Sequence, residues 1–499
     1  MRRQRLKHRI TEVEHLLEVQ GDVHIRGPRP WIDVRAYGAD RTGVNDSLAA
    51  FVAARDSLPS TGGMIFAPEG TYLFSNTFTL NTKRVHLLGA GLGITILKLA
   101  NTANANLIEV DYGQAEAAKI PTLTLGYIAH LTLDGNSANQ TSATAGLRII
   151  KTTDFYADNL QVKDFRGNGI HAAVLATGPQ ALGTIHITHS RIEYNLQNGI
   201  YLGPGVDGIH VTDNDIGDNG TLGQDYYNVF AEFVAGQAAC GGIVLSGNAI
   251  WQGKRANIRL HGANTVKIVN NRILSAQRQN ILITGDATRN SYLIAITGNS
   301  LHSTGEEATG TYPHIQIGTG ATSIATNVSV IGNLFSSPAG FLASTNVDED
   351  ANSDENVIAG NTVDGSVTTF TIRGANSQKV ANPPDSSSQI IGLRIPSGDI
   401  QFLYNGGIIY PSTPTDADLA MRANGIGLLT LQGAGATGNL VLCTGGGDIK
   451  WGKALVALGG GAAPTLGTIG GSGPTVAGQN TWMRVLDSTG AACWLPVWK

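Results

Sequence analysis

Cysteine, charge and long apolar runs are all scarce in this sequence. The three cysteines, Cys240, Cys443 and Cys493, lie far apart and are odd in number, so we expect no disulfide framework. Charged residues make up only 14% of the chain and the net charge is -4, which gives no electrostatic case for a nucleic-acid partner. No apolar run reaches membrane-spanning length, and the basic first residues lead into no signal-peptide core. We therefore expect neither membrane insertion nor export through a signal peptide.

Glycine, by contrast, is abundant, with 64 residues, about twice the usual share. A short phrase recurs seven times between residues 185 and 372, and in six of the copies Asn stands two residues before an apolar residue. The third residues of its seven copies are Ser190, Asn214, Asn248, Asn271, Asn299, Asn333 and Asn361. Intervals of roughly 20 to 50 residues between copies are typical of a solenoid.

Each phrase fits one coil of a parallel β-helix. An alternating apolar pair such as Ile209 and Val211 precedes each phrase, so every second side chain would point inward and stack on the next coil. Asn suits the bend between two strands, because it tolerates left-handed backbone angles and can bond along its own ladder. The alternative is a β-sandwich with coincidental turns, but sandwich strands do not usually repeat one phrase. We therefore predict an all-β solenoid.

Residues 31–99 carry the most specific local signal. Residues 33–47 precede a predicted helix with Leu48, Phe51 and Val52 on its apolar face, and residues 62–73 and 86–91 follow as strands and turns. This stretch resembles the N-terminal part of the pectate-lyase-like superfamily, whose members are right-handed parallel β-helices. The resemblance implies the same fold for residues 31–380. It does not fix one chemistry, because lyases, hydrolases, epimerases and inactive adhesins share that fold.

In that superfamily these motifs build the cap and the first coils. The resemblance therefore implies that Asp40, Asp46 and Glu69 are turn and capping residues rather than catalysts.

Two further segments flank the predicted β-helix. In residues 1–30, apolar side chains fall at coiled-coil spacing, which predicts a helix that is stable only within an oligomer. A single amphipathic helix lying on its own domain is the alternative. Residues 381–499 begin with a linker at 382–388, are Gly-rich near their end, and carry Trp482, Trp494 and Trp498. This segment is similar to the C-terminal part of bacteriophage tail-fibre proteins, which implies a β-rich trimerisation domain. A flexible linker with a short terminal strand is the alternative.

The interval from Asn214 to Asn248 is longer than the preceding one and holds a surplus at residues 220–233. In a β-helix, unequal loops on the outer face form sites, and aromatic rings beside carboxylates are typical of a glycan-binding surface. A shift of 24 residues also predicts that His189 stacks near Asp213 and Arg191 near Asp215.

Paired carboxylates are what glycoside cleavage needs. The candidate catalytic residues are Asp213, Asp215, Asp218, Asp225 and Glu232, and the candidate substrate-binding residues are His189, Arg191, Tyr226, Tyr227, Trp251, Arg255 and Tyr312. A lyase or epimerase would instead need a base and a cation, which His189, Arg191 or Arg255 could supply. The structural alternative is that Asp213 and Asp215 serve as turn residues and in salt bridges between coils.

Residues 348–354 place oxygen ligands at alternate positions but lack the glycine and glutamate of a calcium loop, so we predict a solvated acidic turn. No metal or cofactor is expected.

The resemblances together imply a homotrimeric phage tailspike or tail-fibre protein of the virion, attached to phage tail or baseplate proteins. It would bind and depolymerise a bacterial surface polysaccharide, by hydrolysis rather than β-elimination. The alternatives are a non-catalytic receptor-binding or structural spike and a free bacterial carbohydrate-active enzyme.

Overall fold

The computed structural model describes residues 31–382, apart from 82–83, 113–125, 153, 174–182, 224, 238–239, 366, 368 and 381, together with residues 480–486 and 492–498. The predicted helix within residues 1–30 and most of the predicted C-terminal domain lie outside the described residues. The chain divides into two compact units, Met1–Gly406 and Gly407–Lys499.

Three ladders of parallel strands build the first unit, and each full coil adds one strand to ladder A, then to ladder B, then to ladder C. Ladder A consists of β1 (Trp31–Asp33), β3 (Gly63–Ala67), β6 (Val85–Gly89), β9 (Tyr127–Asp134), β11 (Phe155–Lys163), β13 (Ile185–Thr188), β16 (Asp207–Thr212), β19 (Gly241–Ser246), β22 (Asn264–Val269), β25 (Ser291–Thr297), β28 (Ala325–Ile331), β31 (Val357–Ala359) and β34 (Gln378–Val380). Ladder B consists of β2 (Thr42–Asp46), β4 (Gly70–Phe74), β7 (Thr95–Leu99), β14 (Arg191–Glu193), β17 (Asp215–Gly217), β20 (Ala249–Trp251), β23 (Arg272–Leu274), β26 (Ser300–His302), β29 (Leu334–Ser337) and β32 (Thr362–Gly365), joined by the second halves of β9 and β11.

Ladder C runs along the third side. It consists of β5 (Phe78–Leu80), β8 (Ile108–Asp111), β10 (Leu147–Lys151), β12 (Ile170–Ala172), β15 (Ile200–Leu202), β18 (Val229–Glu232), β21 (Ile258–His261), β24 (Ile281–Thr284), β27 (Ile315–Ile317), β30 (Val347–Glu349) and β33 (Phe370–Thr371). The predicted parallel β-helix is confirmed, and the sandwich alternative is wrong, because equivalent strands of successive coils pair in parallel.

The second unit contains an antiparallel pair among its described residues, β35 (Asn480–Leu486) and β36 (Ala492–Trp498).

The core fills with the inward residue of each strand, stacked coil on coil. On ladder A, Ile187, Val211 and Leu245 are partners in register and are all fully buried. Burial of one such side chain contributes roughly 1.5–3 kcal/mol. Because alternate residues face outward, the same register aligns polar side chains in columns on the surface.

The Asn phrase of the sequence forms a continuous buried column at the bend between ladders A and B. The side-chain amide of Asn271 donates to Oδ1 of Asn299 at 3.0 Å, and that of Asn299 donates to Asn333 at 2.9 Å. The same bond joins Asn214 through Asn361, which confirms the predicted ladder. The column continues to Asn382, which accepts from Asn361 at 2.9 Å. The assignment of Asn382 to a linker is therefore wrong, since its amide belongs to the column.

The N-terminal end is capped as the resemblance implied. The predicted helix is α1 (Leu48–Asp56), and Phe51 packs its ring edge-on against Tyr72, Phe74 and Phe78. Two short 3-10 turns, Val34–Tyr37 and Ser137–Asn139, complete the helical residues among those described.

The predicted structural acids at this end are also confirmed. Asp40 accepts hydrogen bonds from Thr42 and Asn45, which lower its pKa. Asp46 accepts from the backbone of Leu48 at 3.1 Å, and Glu69 pairs with Arg41.

Candidate functional site

Two connections from ladder B to ladder C are longer than the others near them. Residues 218–228 and 303–314 form these long corners, whereas 194–199, 252–257 and 275–280 form short ones. The predicted surplus loop at 220–233 is wrong in its second half, because residues 229–232 form strand β18 of the core. Part of the surplus instead lies after that strand, at 233–240.

A cleft of about 380 Å³ opens over ladder C beside the first long corner. Its floor carries outward residues of three successive strands: His171 is the register partner of Tyr201, and Tyr201 that of Phe230. Three residues of the predicted site also line it: Asp225, Tyr226 and Glu232. The register of the solenoid, rather than closeness in sequence, brings these groups together.

Tyr201 links the floor of this cleft to its carboxylate. The Tyr201 hydroxyl donates to Oε2 of Glu232 at 2.8 Å, and burial, followed by the charge of Glu232, raises the pKa of Tyr201. The His171 ring packs edge-on against Tyr201 at 4.8 Å. Burial, with a smaller contribution from Arg148, lowers the pKa of His171 to about 4. At neutral pH the cleft therefore holds a protonated phenol and a neutral imidazole beside the Glu232 side chain, groups that can take part in proton transfer.

The rim of the cleft comes from the long corner 218–228. Asp225 is 75% exposed at its side chain and pairs with the guanidinium of Arg255. The Tyr226 hydroxyl accepts a hydrogen bond from Nε2 of Gln197 at 3.0 Å. These contacts fix one carboxylate and one ring at the mouth of the cleft.

Tyr227 lies beneath this surface and is fully buried. Its hydroxyl accepts from Nη1 of Arg259 at 2.6 Å, and that guanidinium lies 5.2 Å from the Tyr227 ring and 5.1 Å from that of Phe230. The predicted direct contact between Tyr227 and a ligand is therefore wrong. Its ring supports the wall from below.

Other predicted residues form a second group on ladder B. Arg191 and Asp215 are register partners, as predicted, with Nε and Oδ2 4.0 Å apart. Nε of Arg191 lies closer to Glu193, at 2.8 Å, and the Trp251 indole donates to Asp215. These contacts agree with the structural alternative for Asp215, a salt bridge between coils.

His189 and Asp213 lie at the bend between ladders A and B, with φ values of 48° and 56°. His189 does not pair with Asp213: its Nδ1 lies 2.8 Å from Oδ1 of Asp158, in the preceding coil. Left-handed angles suit Asp at a turn, so Asp213 also fits the structural alternative.

A cleft of about 550 Å³ between the two long corners is lined by Lys254, Arg278 and Glu307. Asp218 and Tyr312 contact these lining residues. Lys254 is 3.4 Å from Asp218, and Nε of Arg278 donates to Glu307 at 2.6 Å while its guanidinium stacks over Tyr312 at 5.6 Å. The predicted catalytic carboxylates are thus divided among four places: the bend with Asp213, ladder B with Asp215, the cleft beside Asp218, and the ladder C cleft. Of these, only Asp225 and Glu232 line one common cleft.

The predicted acidic turn at 348–354 is wrong for Glu349. This carboxylate is fully buried and accepts from Asn356, Ser377 and the backbone of Gly374. Within the part of the chain that the structure describes, no cluster of three His, Cys, Asp or Glu side chains could hold a metal ion.

Sequence reasoning missed His171 and Tyr201. Both occupy the outward position of strands in the repeat, and no local motif marks them. Only their spacing could have indicated them. They occupy equivalent positions one coil apart, and the next strand of ladder C carries Glu232.

The comparisons with known proteins agree with this geometry. Residues 31–234 match the family model described as rhamnogalacturonase A/epimerase, pectate lyase-like. The A-module of mannuronan C-5 epimerase AlgE4 from Azotobacter vinelandii has the same fold, with a TM-score of 0.54 at 18% identity over 70% of this chain and 99% of that chain. The fold is the pectate-lyase-like right-handed parallel β-helix.

Other solved structures with this fold include a catalytic domain and a tailspike protein. The Agl-KA catalytic domain has a TM-score of 0.54 at 17% identity, covering 72% of this chain and 64% of its own. The Dettilon tailspike protein has a TM-score of 0.50 at 14% identity, covering 67% and 62%. In sequence, mannuronan C5-epimerase AlgE1 from Azotobacter vinelandii is 31% identical over 125 residues, 23% of this chain. The chain matches only 8% of that relative's length and 12% of AlgE2's.

No helix among the described residues is both long and apolar enough to cross a membrane.

Proposed function

We propose that this β-helix binds a polysaccharide in the ladder C cleft and hydrolyses its glycosidic bonds, with Glu232 and Asp225 as the two carboxylates. The observation that carries the proposal is that both line one cleft together with the rings of Tyr201, Tyr226 and Phe230. Aromatic rings bind the apolar faces of sugars, and two carboxylates supply the acid and the base or nucleophile of glycoside cleavage. The names of the similar proteins, polysaccharide epimerases and a phage tailspike, support the same class of ligand.

The two carboxylates have different surroundings, which suggests different roles. Glu232 lies within the cleft and accepts a hydrogen bond from the Tyr201 hydroxyl, an arrangement that fits a carboxylate, so we assign it the base or nucleophile. Asp225 lies at the exposed rim, where it pairs with the Arg255 guanidinium, and we assign it the protonation of the leaving oxygen. We assign no catalytic role to Asp213, Asp215 or Asp218, whose contacts are those of turns and ion pairs.

The test is release of reducing ends from a panel of bacterial capsule and O-antigen polysaccharides and from mannuronan. Glu232→Gln should lower turnover by about 10²–10⁴-fold, as expected for loss of an acid–base group. Glu355→Gln is the matched control, since Glu355 is exposed, lies outside the cleft and bonds Asn327 at 3.0 Å. Equal turnover in both variants would contradict the assignment. Binding without cleavage of any polymer would instead support a receptor-binding protein.

A second reaction class is favoured by His171 and Tyr201. A neutral imidazole beside a phenol can move the C5 proton of a uronate, as an epimerase or lyase requires. If this holds, His171→Gln and Tyr201→Phe should abolish activity, and the product should show inverted C5 resonances or the absorbance of unsaturated uronates. Release of reducing ends without either signal supports hydrolysis.

We further propose that the protein is a homotrimeric tailspike of a phage virion that meets its glycan at the host surface. The fold shared with the Dettilon tailspike supports this context. The helix predicted in residues 1–30 would join phage tail or baseplate proteins, and residues 381–499 would hold the trimer.

A further inference from the structure

Ladder A carries a row of aromatic side chains on the outer side of five successive strands. His86, Tyr127, Tyr156, His186 and His210 are register partners in that order, and we call them the ladder A strip. The strip lies on a different side of the solenoid from the cleft. Nothing in the proposed catalytic reaction uses it.

Three rings of the strip, those of Tyr156, His186 and His210, stack face to face, whereas the rings of His86 and Tyr127 are tilted by 55° at 6.1 Å. Tyr156 and His186 are parallel within 6° at 4.5 Å, and His186 and His210 within 17° at 4.9 Å. Since the faces cover each other, the ring edges face outward, and the Tyr156 residue is 37% exposed. The side chains of Tyr156, His186 and His210 make no hydrogen bond to another described residue. Their polar atoms are available to a ligand.

A polar column runs beside the strip. Asp158, Thr188 and Thr212 are register partners on the same outer face. Asp158 accepts from the Tyr127 hydroxyl at 3.0 Å and from Thr188 at 2.7 Å, and it pairs with His189. Hydroxyl and imidazole groups therefore recur at the strand spacing of about 4.8 Å, which is close to the length that one pyranose adds to an extended glycan.

We propose that the ladder A strip is a second polysaccharide-binding site, which holds an extended stretch of the polymer away from the cleft. It takes the same class of ligand and in that respect rests on the proposed function. Stacked rings that present Tyr hydroxyls and imidazole nitrogens at each coil match the repeating hydroxyl groups of a glycan. The core of a subunit interface would instead present apolar side chains.

The electrostatics of the strip agree with such a ligand. Burial lowers the pKa of the His86 and His186 imidazoles. The charge of Arg84 adds to this effect at His86, and that of His210 adds to it at His186, so both rings are neutral at neutral pH. A neutral imidazole offers one N–H donor and one acceptor, the pair that a sugar hydroxyl complements.

The experiment measures binding by calorimetry with the full chain in a Glu232→Gln background, so that polymer is not cut. The probes are mannuronan, the surface-polysaccharide panel, and short fragments prepared from each by acid hydrolysis. Tyr156→Ala with His186→Ala should weaken polymer binding by about tenfold, as loss of an aromatic contact predicts, and leave fragment binding unchanged. Lys267→Ala, exposed in the same column two coils beyond His210, is the matched control and should change neither.

Every other outcome contradicts the second site, the polysaccharide ligand or the proposed hydrolysis. Unchanged polymer binding in the double variant overturns the second site. A changed mass by light scattering also overturns it, since the strip would then lie between copies. Binding of no probe by the parent protein overturns both the second site and the polysaccharide ligand. In a further outcome, a protein with the native Glu232 binds the polymer through the strip and cuts none of the probes. That result overturns only the proposed hydrolysis.

Discussion

Gly217 shows how a single missing side chain shapes the surface of ladder B. A Cβ atom at this position would overlap the indole ring of Trp251, which lies flat over the glycine from the next coil. The indole N–H is thereby aimed at Asp215. Side-chain volume at residue 217 thus sets the position of an aromatic ring and, through it, of a carboxylate.

We expect Gly217→Ala to displace Trp251 and to reduce the free energy of unfolding by about 1–3 kcal/mol, because an extra methyl group must be accommodated against a fixed ring. Urea unfolding followed by far-UV circular dichroism measures the change. Trp251→Phe in the Gly217→Ala background is the informative partner, since a smaller ring should recover part of the loss. An unfolding midpoint equal to that of the parent would show that the ring is free to move.

A second buried column, at the bend between ladders B and C, ends in a histidine. The amide of Asn257 donates to Asn280 at 2.8 Å, Asn280 contacts Nδ1 of His314 at 3.0 Å, and Nε2 of His314 contacts Ser337 at 2.9 Å. His314 is fully buried, and burial lowers its pKa to about 3. A neutral imidazole is therefore a structural part of this column.

This histidine should make stability depend on pH. Between pH 6.5 and about 3 the unfolded chain binds a proton at His314 that the folded chain does not, so the free energy of unfolding decreases as pH falls. The slope from this group is about 1.4 kcal/mol per pH unit. Urea unfolding at pH 7, 6 and 5 should give a smaller loss for His314→Asn than for the parent. His210→Asn, an outward position on ladder A, is the control, and parallel slopes in all three proteins would contradict the prediction.

The Asn column between ladders A and B should contribute to the stability of the solenoid. Asn299 accepts from the backbone and amide of Asn271 and donates to Asn333 and Ile268, all within 3.0 Å. Asn299→Ala leaves several of these buried groups without partners and should reduce the free energy of unfolding by about 3 kcal/mol or more. Asn352→Ala, at an exposed turn, should reduce it less. Equal losses in urea unfolding would contradict a stabilising role for the column.

The same column explains which features could be predicted from sequence. Each bend needs Asn at a fixed place relative to its strands, so Asn214 through Asn361 mark the coils in the sequence itself. The cleft has no such mark, because His171, Tyr201 and Glu232 belong to three coils and share no motif. Only the register of ladder C brings them together. The extra length between Asn214 and Asn248 did predict the corner beside the cleft, but the predicted loop wrongly included strand β18.

At the scale of the whole molecule, the proposed tailspike should be a trimer. Light scattering should give three times the 52.2 kDa mass of one chain. The predicted seam in residues 1–30 and the predicted C-terminal domain both gain a core only by association. A mass of one chain at micromolar concentration would contradict the tailspike context, and the cleft would then belong to a free enzyme.

The coils of this solenoid are kept in step by their bends and not by their lengths. Adjacent members of the Asn column bond to each other whether 23 or 34 residues separate them. The outer parts of the two long corners, 220–226 and 305–313, lie outside the buried columns and are therefore exchangeable: longer or shorter segments can replace them while the strands on either side stay in place. Such a scaffold lets recognition of a new glycan arise by replacing a corner, without a new fold having to be found.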